Sequence, residues 1–324
     1  MLKKMVFLGT GGTIAGTADS AADNVGYKAA QVGVELLLEA IPSLSSALGD
    51  HVFESEQVLQ IDSKDMGWAQ WTTLARRICH HMAQPDVCSI VVTHGTDTLE
   101  ETAYFLARVL PRKLLDKKPV VLTCAMRPAS SLSPDGPQNV LDAVIVARSK
   151  EAHGVLAVCA GTVHSARDVQ KIHTYRLNAF DSGEAGPLGY VEEGSVRWLH
   201  ACPTTVAIEA GSVEQLPETA WPRVEIVISY VGATGATVRA LCQASADAVQ
   251  PVRGIVVAGT GNGTIHEDLE TALREAQAGG IRVMRATRCG RGSVVAGVST
   301  SDLPHSHGLS PVKARIALVL DLLS

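Results

Sequence analysis

The chain has 324 residues, enough for about two domains at roughly 150 residues each. Hydrophobic residues make up 46% and charged residues 19%, the balance of a globular chain rather than a disordered one. The net charge of −5 argues against a nucleic-acid binder driven by phosphate contacts, and no run of about 18 apolar residues offers a membrane span.

Short apolar runs alternate with helical patterns from the start. Met5–Leu8 reads as a buried strand, followed by Gln57–Ile61, Ser89–Thr93, Pro119–Cys124 and Gly154–Val158. Between them, Val34, Leu37, Leu38 and Ile41 form one helical stripe. Trp71, Ala75, Ile78 and Met82 form a second, and Leu99, Ala103, Leu106 and Leu110 a third. The order predicts an α/β fold with a doubly wound, mostly parallel sheet and right-handed crossovers. From Val191 to Arg223 no clean period survives, which reads as a domain end and a linker. The pattern restarts with strands at Val224–Ser229, Gly254–Ala258 and Arg282–Arg285. Ser310 and Pro311 then open a last helix as N-cap and first helical residue. The expected organisation is a larger N-terminal domain over 1–200, a linker over 201–222 and a smaller C-terminal α/β domain over 223–324.

The seven cysteines are scattered, form no CxxC pair and fit the thiols of a cytoplasmic protein. Cys79, His80, His81 and Cys88 lack metal-ligand spacing, so an amphipathic helix end is preferred there. Lys3 and Lys4 precede only a four-residue apolar run, too short for a secretory leader. The basic cluster Arg112, Lys113, Lys117 and Lys118 reads as a solvated loop.

Two strand ends carry hydroxyls. The first strand runs into Gly9-Thr10-Gly11-Gly12-Thr13-Ile14-Ala15-Gly16. A dinucleotide fingerprint starting at Gly9 fails at Ile14, and no phosphate-binding GxxxxGK[ST] follows, so a nicotinamide oxidoreductase is disfavoured. What remains is either a structural turn or a turn presenting Thr13 beside free backbone amides, a nucleophile next to an oxyanion-binding surface. The third strand ends in Thr93-His94-Gly95-Thr96-Asp97-Thr98. Thr98 and Glu101 fit a capping box, which leaves Thr96 and Asp97 unexplained at a strand-end, helix-start corner.

Together these two segments resemble the signature motifs of the bacterial-type L-asparaginase family. Asp62-Ser63-Lys64-Asp65-Met66, Ala125-Met126-Arg127-Pro128, Asp135-Gly136-Pro137 with Asn139, Arg167–Lys171 and Gly186–Gly189 are similar to further family segments in the same order. The resemblance spans nearly the whole chain. It implies an amidohydrolase that converts L-asparagine to L-aspartate and ammonia without metal or organic cofactor. It also implies Thr13 as the nucleophile that forms a β-aspartyl ester, polarised by Tyr27 from the loop that follows. Thr96, Asp97 and Lys171 would form a second hydroxyl–carboxylate–amine set. Ser63 would hold the substrate α-carboxylate and Asp97 its α-ammonium, with Asp62 alongside. Asn262 or Thr264, from the turn Gly259–Thr264, would complete a neighbouring subunit's site in a homo-oligomer, a tetramer built as a dimer of dimers. Alternatives are a broader glutaminase–asparaginase and a non-catalytic amino-acid sensor on the same fold.

For Lys171 to accept a proton, burial must outweigh the carboxylate of Asp97. Without the resemblance, Lys171 reads as a surface lysine paired with Asp168. The small, polar residues from Thr17 to Gly26 suit a lid over the substrate. Lys64 departs from the Gln many family members carry. Asp302 is the only acid between Cys289 and Pro311, so no residue here is assigned to the acid that some members supply from a neighbour.

Overall fold

A computed structural model describes residues 3–203, 213–245, 249–295 and 301–323. The chain divides into two compact units, Met1–Leu216 and Pro217–Ser324. Part of the segment read as a linker, residues 204–212, lies outside the described residues.

In the first unit the elements run β1 (Lys4–Gly11), α1 (Val34–Glu39), α2 (Leu44–Leu48), β2 (Val52–Ile61), α3 (Trp68–Met82), β3 (Val87–Thr93), α4 (Leu99–Val109), α5 (Arg112–Leu115), β4 (Val120–Thr123), α6 (Gly136–Arg148), β5 (Val155–Cys159) and β6 (Thr162–Ser165). Then come β7 (Gln170–Lys171), β8 (Phe180–Asp181), β9 (Gly189–Glu192) and β10 (Ser195–Trp198). Eight strands form one sheet in the order β10-β9-β6-β5-β4-β3-β1-β2. It is parallel from β2 to β5 and antiparallel from β5 to β10. β7 and β8 form a separate hairpin.

The central strands are buried on both faces, as their unbroken apolar runs imply: Met5, Val6, Phe7, Leu8, Ile90, Val91, Val92 and Leu122 have no accessible surface. The three helical stripes read from the sequence are all buried. Three expectations are corrected. The sheet continues through β9 and β10, a short edge hairpin whose Val191, Val196 and Trp198 pack against the core, so the irregular stretch starting at Val191 is partly strand. Part of the basic cluster is ordered: Arg112–Leu115 forms α5, and Lys118 Nζ donates to the Met82 and Gln84 carbonyls at 2.7 and 2.6 Å, closing the end of α3.

The third correction concerns handedness. α1, α2 and α6 share one hydrophobic cluster on one sheet face, whereas α3 and α4 pack together outside it. The steps β3 to β4 and β4 to β5 move the same way across the sheet, yet α4 and α6 lie on opposite faces. The β4–α6–β5 connection therefore has the opposite hand to the others, against the strong right-handed preference.

The second unit has a three-stranded parallel sheet in the order β11 (Arg223–Ile228), β12 (Val252–Gly259), β13 (Arg282–Thr287), with helices α7 (Ala236–Ser245), α8 (Glu267–Ala278) and α9 (Pro311–Asp321). Ser310 caps α9 with Pro311 in its first turn, as the sequence predicts. Among the described residues no helix is long and apolar enough to cross a membrane.

Candidate active site

Strand order places the site. β1 sits between β2 and β3, so the chain leaves β1 in one direction and returns on its other side. Such a switch point opens a crevice at the carboxyl ends of the strands, where α/β sheets bind ligands. Here the two strand ends are those of β1, leading to Thr13, and β3, leading to Thr96.

They meet backbone to backbone. Gly12 has φ +81°, and a Cβ built on it would overlap the Cα and N of Gly95. A Cβ on Gly95 would stand 2.7 Å from Ser63 Cβ and 3.1 Å from Gly12 Cα. Only two glycines allow this approach, which brings the segments of Thr13, Ser63 and Thr96 together. All three are nearly buried, at 6%, 3% and 5% exposure. Among the described residues, the backbone N–H groups of Thr13 and Thr96 have no hydrogen-bond partner. Two such amides at a strand-end crevice can receive an anion.

Each hydroxyl has its own partner. Thr13 Oγ1 lies 2.7 Å from the Tyr27 hydroxyl. Burial raises the Tyr27 pKa, and Asp97 and Asp62 add to the rise, while the Thr13 hydrogen bond and Lys64 oppose it. Tyr27 follows the polar loop, whose ends are zipped by Thr17 and Lys28 backbone bonds of 3.0 and 2.8 Å. Asp23 folds the loop tip by accepting from the Val25 and Gly26 N–H groups, which hold its carboxyl below the usual range. Thr96 Oγ1 accepts from Lys171 Nζ at 2.8 Å, and the same amine contacts Asp97 Oδ1 at 2.6 Å. Lys171 stands on the β7–β8 hairpin and is mostly buried, and it pairs with Asp97 rather than Asp168. Asp168 instead closes a turn with Ser165.

Thr98 does not form the expected capping box. It heads α4 without a side-chain cap bond, because its hydroxyl donates to the Ser63 carbonyl at 2.8 Å. Ser63 Oγ accepts from the Asp97 N–H at 3.2 Å, leaving its own proton for a ligand. Asp62 accepts from the backbone and side chain of Lys64, and Lys64 also bridges to Asp65 at 3.1 Å. Lys64 is thus folded onto its own turn.

Thr13, Tyr27, Asp62, Ser63, Thr96, Asp97 and Lys171 all belong to the first unit. Asn262 and Thr264 belong to the second, on the turn after β12. Asn262 exchanges bonds with the backbone of Val295 at 2.9 and 2.7 Å. Thr264 pairs with Thr260 through both backbone and hydroxyl, at 2.8 and 2.7 Å. Among the described residues, no three His, Cys, Asp or Glu side chains converge as metal ligands.

Sequence reasoning gave His94 no role and read Trp71 only as core. Trp71 Nε1 donates to Thr102 Oγ1 at 2.8 Å, Thr102 faces His94 Nε2 at 3.0 Å, and His94 Nδ1 lies 2.7 Å from the Gly95 carbonyl. The indole can only donate, so Thr102 donates to Nε2 and His94 carries its proton on Nδ1. No local pattern announces a chain that spans 31 residues.

Residues 4–203 match the family model for the asparaginase N-terminal domain, and residues 223–323 that for the glutaminase/asparaginase C-terminal domain. The chain is 38% identical to L-asparaginase 2 of Escherichia coli over 328 residues, covering 99% of this chain and 89% of that protein. It is 37% identical to a glutaminase-asparaginase of Pseudomonas fluorescens over 338 residues, covering 99% and 86%. The crystal structure of a probable cytoplasmic L-asparaginase from Campylobacter jejuni superposes with a TM-score of 0.85 at 34% identity, covering 99% of this chain and 95% of that one. With both domain models matched in order and full-length relatives at this identity, the chain belongs to the asparaginase family.

Proposed function

We propose that the protein hydrolyses the side-chain amide of L-asparagine to L-aspartate and ammonia, with Thr13 as nucleophile. The observation that carries this reading is the convergence of two buried threonines, each with a proton-handling partner, around two unpartnered amides. Thr13 Oγ1 attacks the carboxamide carbon, ammonia leaves, and water then cleaves the β-aspartyl ester. Tyr27, kept as a phenol by burial, polarises the Thr13 hydroxyl. The N–H groups of Thr13 and Thr96 receive the developing oxyanion.

Ser63 donates its free proton to the substrate α-carboxylate, and Asp97 takes the α-ammonium, with Asp62 adding negative charge at the rim. A cation arriving at Asp97 competes for the carboxylate that Lys171 now contacts, which frees the amine to act on Thr96. Asn262 or Thr264 completes the site of a neighbouring subunit in a tetramer of two dimers. All seven cysteines are free, including Cys124 and Cys159 with sulfurs 3.2 Å apart, which favours a reducing, cytoplasmic setting.

A second reading, a broader glutaminase–asparaginase, is favoured by the relative of that name. The two substrates differ by one methylene, worth about 1–3 kcal/mol in a pocket, and kcat/KM for each amide separates them. The decisive test is ammonia release from L-asparagine by wild type and Thr13→Ala. A loss of about 10³-fold or more is expected. Binding of asparagine without ammonia release from the wild type would instead identify a sensor.

A further inference from the structure

Helix α6 begins against the usual rule. Asp135 occupies its N-cap position, where aspartate normally accepts from the helix's own first N–H groups, yet its side chain makes no cap bond. The carboxylate instead reaches back across the chain. Its Oδ2 accepts from the Met126 N–H and its Oδ1 from the Arg127 N–H, both at 2.9 Å. One turn on, the buried Asn139 amide donates to the Cys124 carbonyl at 2.8 Å and to Asp135 Oδ2 at 3.2 Å, while its oxygen accepts from the Ala160 N–H at 3.0 Å. These bonds fix the orientation of the amide and tie together the ends of β4, β5 and α6. A local rule broken at a strand end marks a position under another demand.

The held turn touches the segment that carries Thr13. A Cβ on Gly136 would stand 2.9 Å from Ile14 Cγ1 and 3.5 Å from Ala125 Cβ, so Ile14, Ala125 and Gly136 meet at one point. Just beyond, the Ala129 N–H donates to the Gly16 carbonyl at 3.0 Å. The Thr13–Ala15 turn is therefore roofed and tethered by the segment that Asp135 and Asn139 hold.

We infer that Asp135 and Asn139 are positioning residues for the nucleophile. They lock the Ala125–Arg127 turn, and that turn, through Ile14, fixes where Thr13 Oγ1 stands relative to the reacting carbon. The inference rests on Thr13 being the nucleophile. A displacement of about 1 Å at such a centre can cost about 10²-fold in rate without touching ground-state binding.

The test uses the full-length protein and three variants. Asp135→Ser restores an ordinary helix cap but cannot reach both turn amides, and Asp135→Asn keeps the shape but offers only one acceptor oxygen. Asp142→Asn alters another buried carboxylate of α6, which bonds Gln138 at 2.8 Å and makes no bond to the turn. Both Asp135 variants are expected to lose about 10- to 100-fold in kcat for L-asparagine, with KM within about threefold, while Asp142→Asn keeps wild-type kcat. Folded Asp135 variants with wild-type kcat, a loss confined to KM, or an equal loss in Asp142→Asn would overturn the inference. If the Asp135 variants do not fold, amide hydrogen exchange of the wild type decides. The Met126 and Arg127 amides must exchange with the protected core, and exchange as fast as in the Thr17–Gly26 loop rejects the clamp. A wild type that releases no ammonia defeats the proposed activity instead and leaves the exchange result to stand alone.

Discussion

Two glycine-rich turns end parallel strands of this chain, and they treat their polar groups in opposite ways. After β12, the turn Gly259–Thr264 is closed on itself: Thr260 and Thr264 exchange backbone bonds of 2.8 Å, and Asn262 is matched by Val295. After β1, the turn through Gly12 and Thr13 is not closed on itself: the Thr13 N–H has no partner among the described residues, and the Thr13 hydroxyl pairs with Tyr27, 14 residues on. Composition is nearly the same in both. What distinguishes them is whether the polar groups are satisfied locally, because an unsatisfied buried donor is costly and persists only where a ligand or the reaction needs it.

The sharpest way to break this contrast is to separate the two strand ends. Gly95→Ala places a methyl against Ser63 and Gly12, so the gap must widen. Activity on L-asparagine should fall by about 10²-fold or more in a protein that remains folded by circular dichroism. Wild-type turnover would mean that the glycine contact does not set the spacing of the two threonines.

The second prediction probes the support behind that contact. Burial holds the His94 imidazole down at about 4, against the Gly95 carbonyl, which favours the charged ring. The unfolded chain therefore takes up this proton first as the pH falls. The His94 contribution is complete above about pH 6.5, declines between about 6.5 and 4, and is gone below. About 2.5 pH units correspond to about 3 kcal/mol. Thermal unfolding from pH 7 to 4 should show this loss, and His94→Gln should flatten it.

Smaller effects follow at the partners. Tyr27→Phe removes one hydrogen bond to Thr13, and a drop of about tenfold in kcat is expected from steady-state ammonia release. Unchanged turnover would remove Tyr27 from the mechanism. Asn262→Ala opens the self-closed turn. It should cost about three- to fivefold in kcat/KM while sedimentation shows the same assembly, and an unaffected rate would make that turn purely structural.

Much of this arrangement is legible in the sequence, for identifiable reasons. Apolar runs buried on both faces announce the central strands, and periods of three and four announce the helices. Thr13 and Thr96 stand out through the resemblance, since a hydroxyl beside glycines at a strand end also suits a purely structural turn, as Thr260 and Thr264 do after β12. What fails to show depends on distant partners. Thr98 looks like a cap until Ser63 offers its carbonyl from 35 residues away. Asp135 shows in the sequence only as part of a family-like segment, and nothing local announces its bonds to Met126 and Arg127. The β9–β10 edge pairs antiparallel in strands of four residues each; Val196 and Trp198 alternate with Ser195 and Arg197, but a run that short does not stand out from its turn-rich surroundings.

The opposite-handed β4–α6–β5 connection has a consequence for how the molecule acquires competence. A chain that took the commoner hand at this step would carry α6 on the face of α3 and α4, away from the α1–α2 cluster it now completes. Ile14 would then lack the cover that Gly136 gives it, and the Thr13–Ala15 turn would lose that support. Such an isomer would keep its strands and helices while lacking that support, so regain of turnover after denaturation reports on topology as well as on secondary structure.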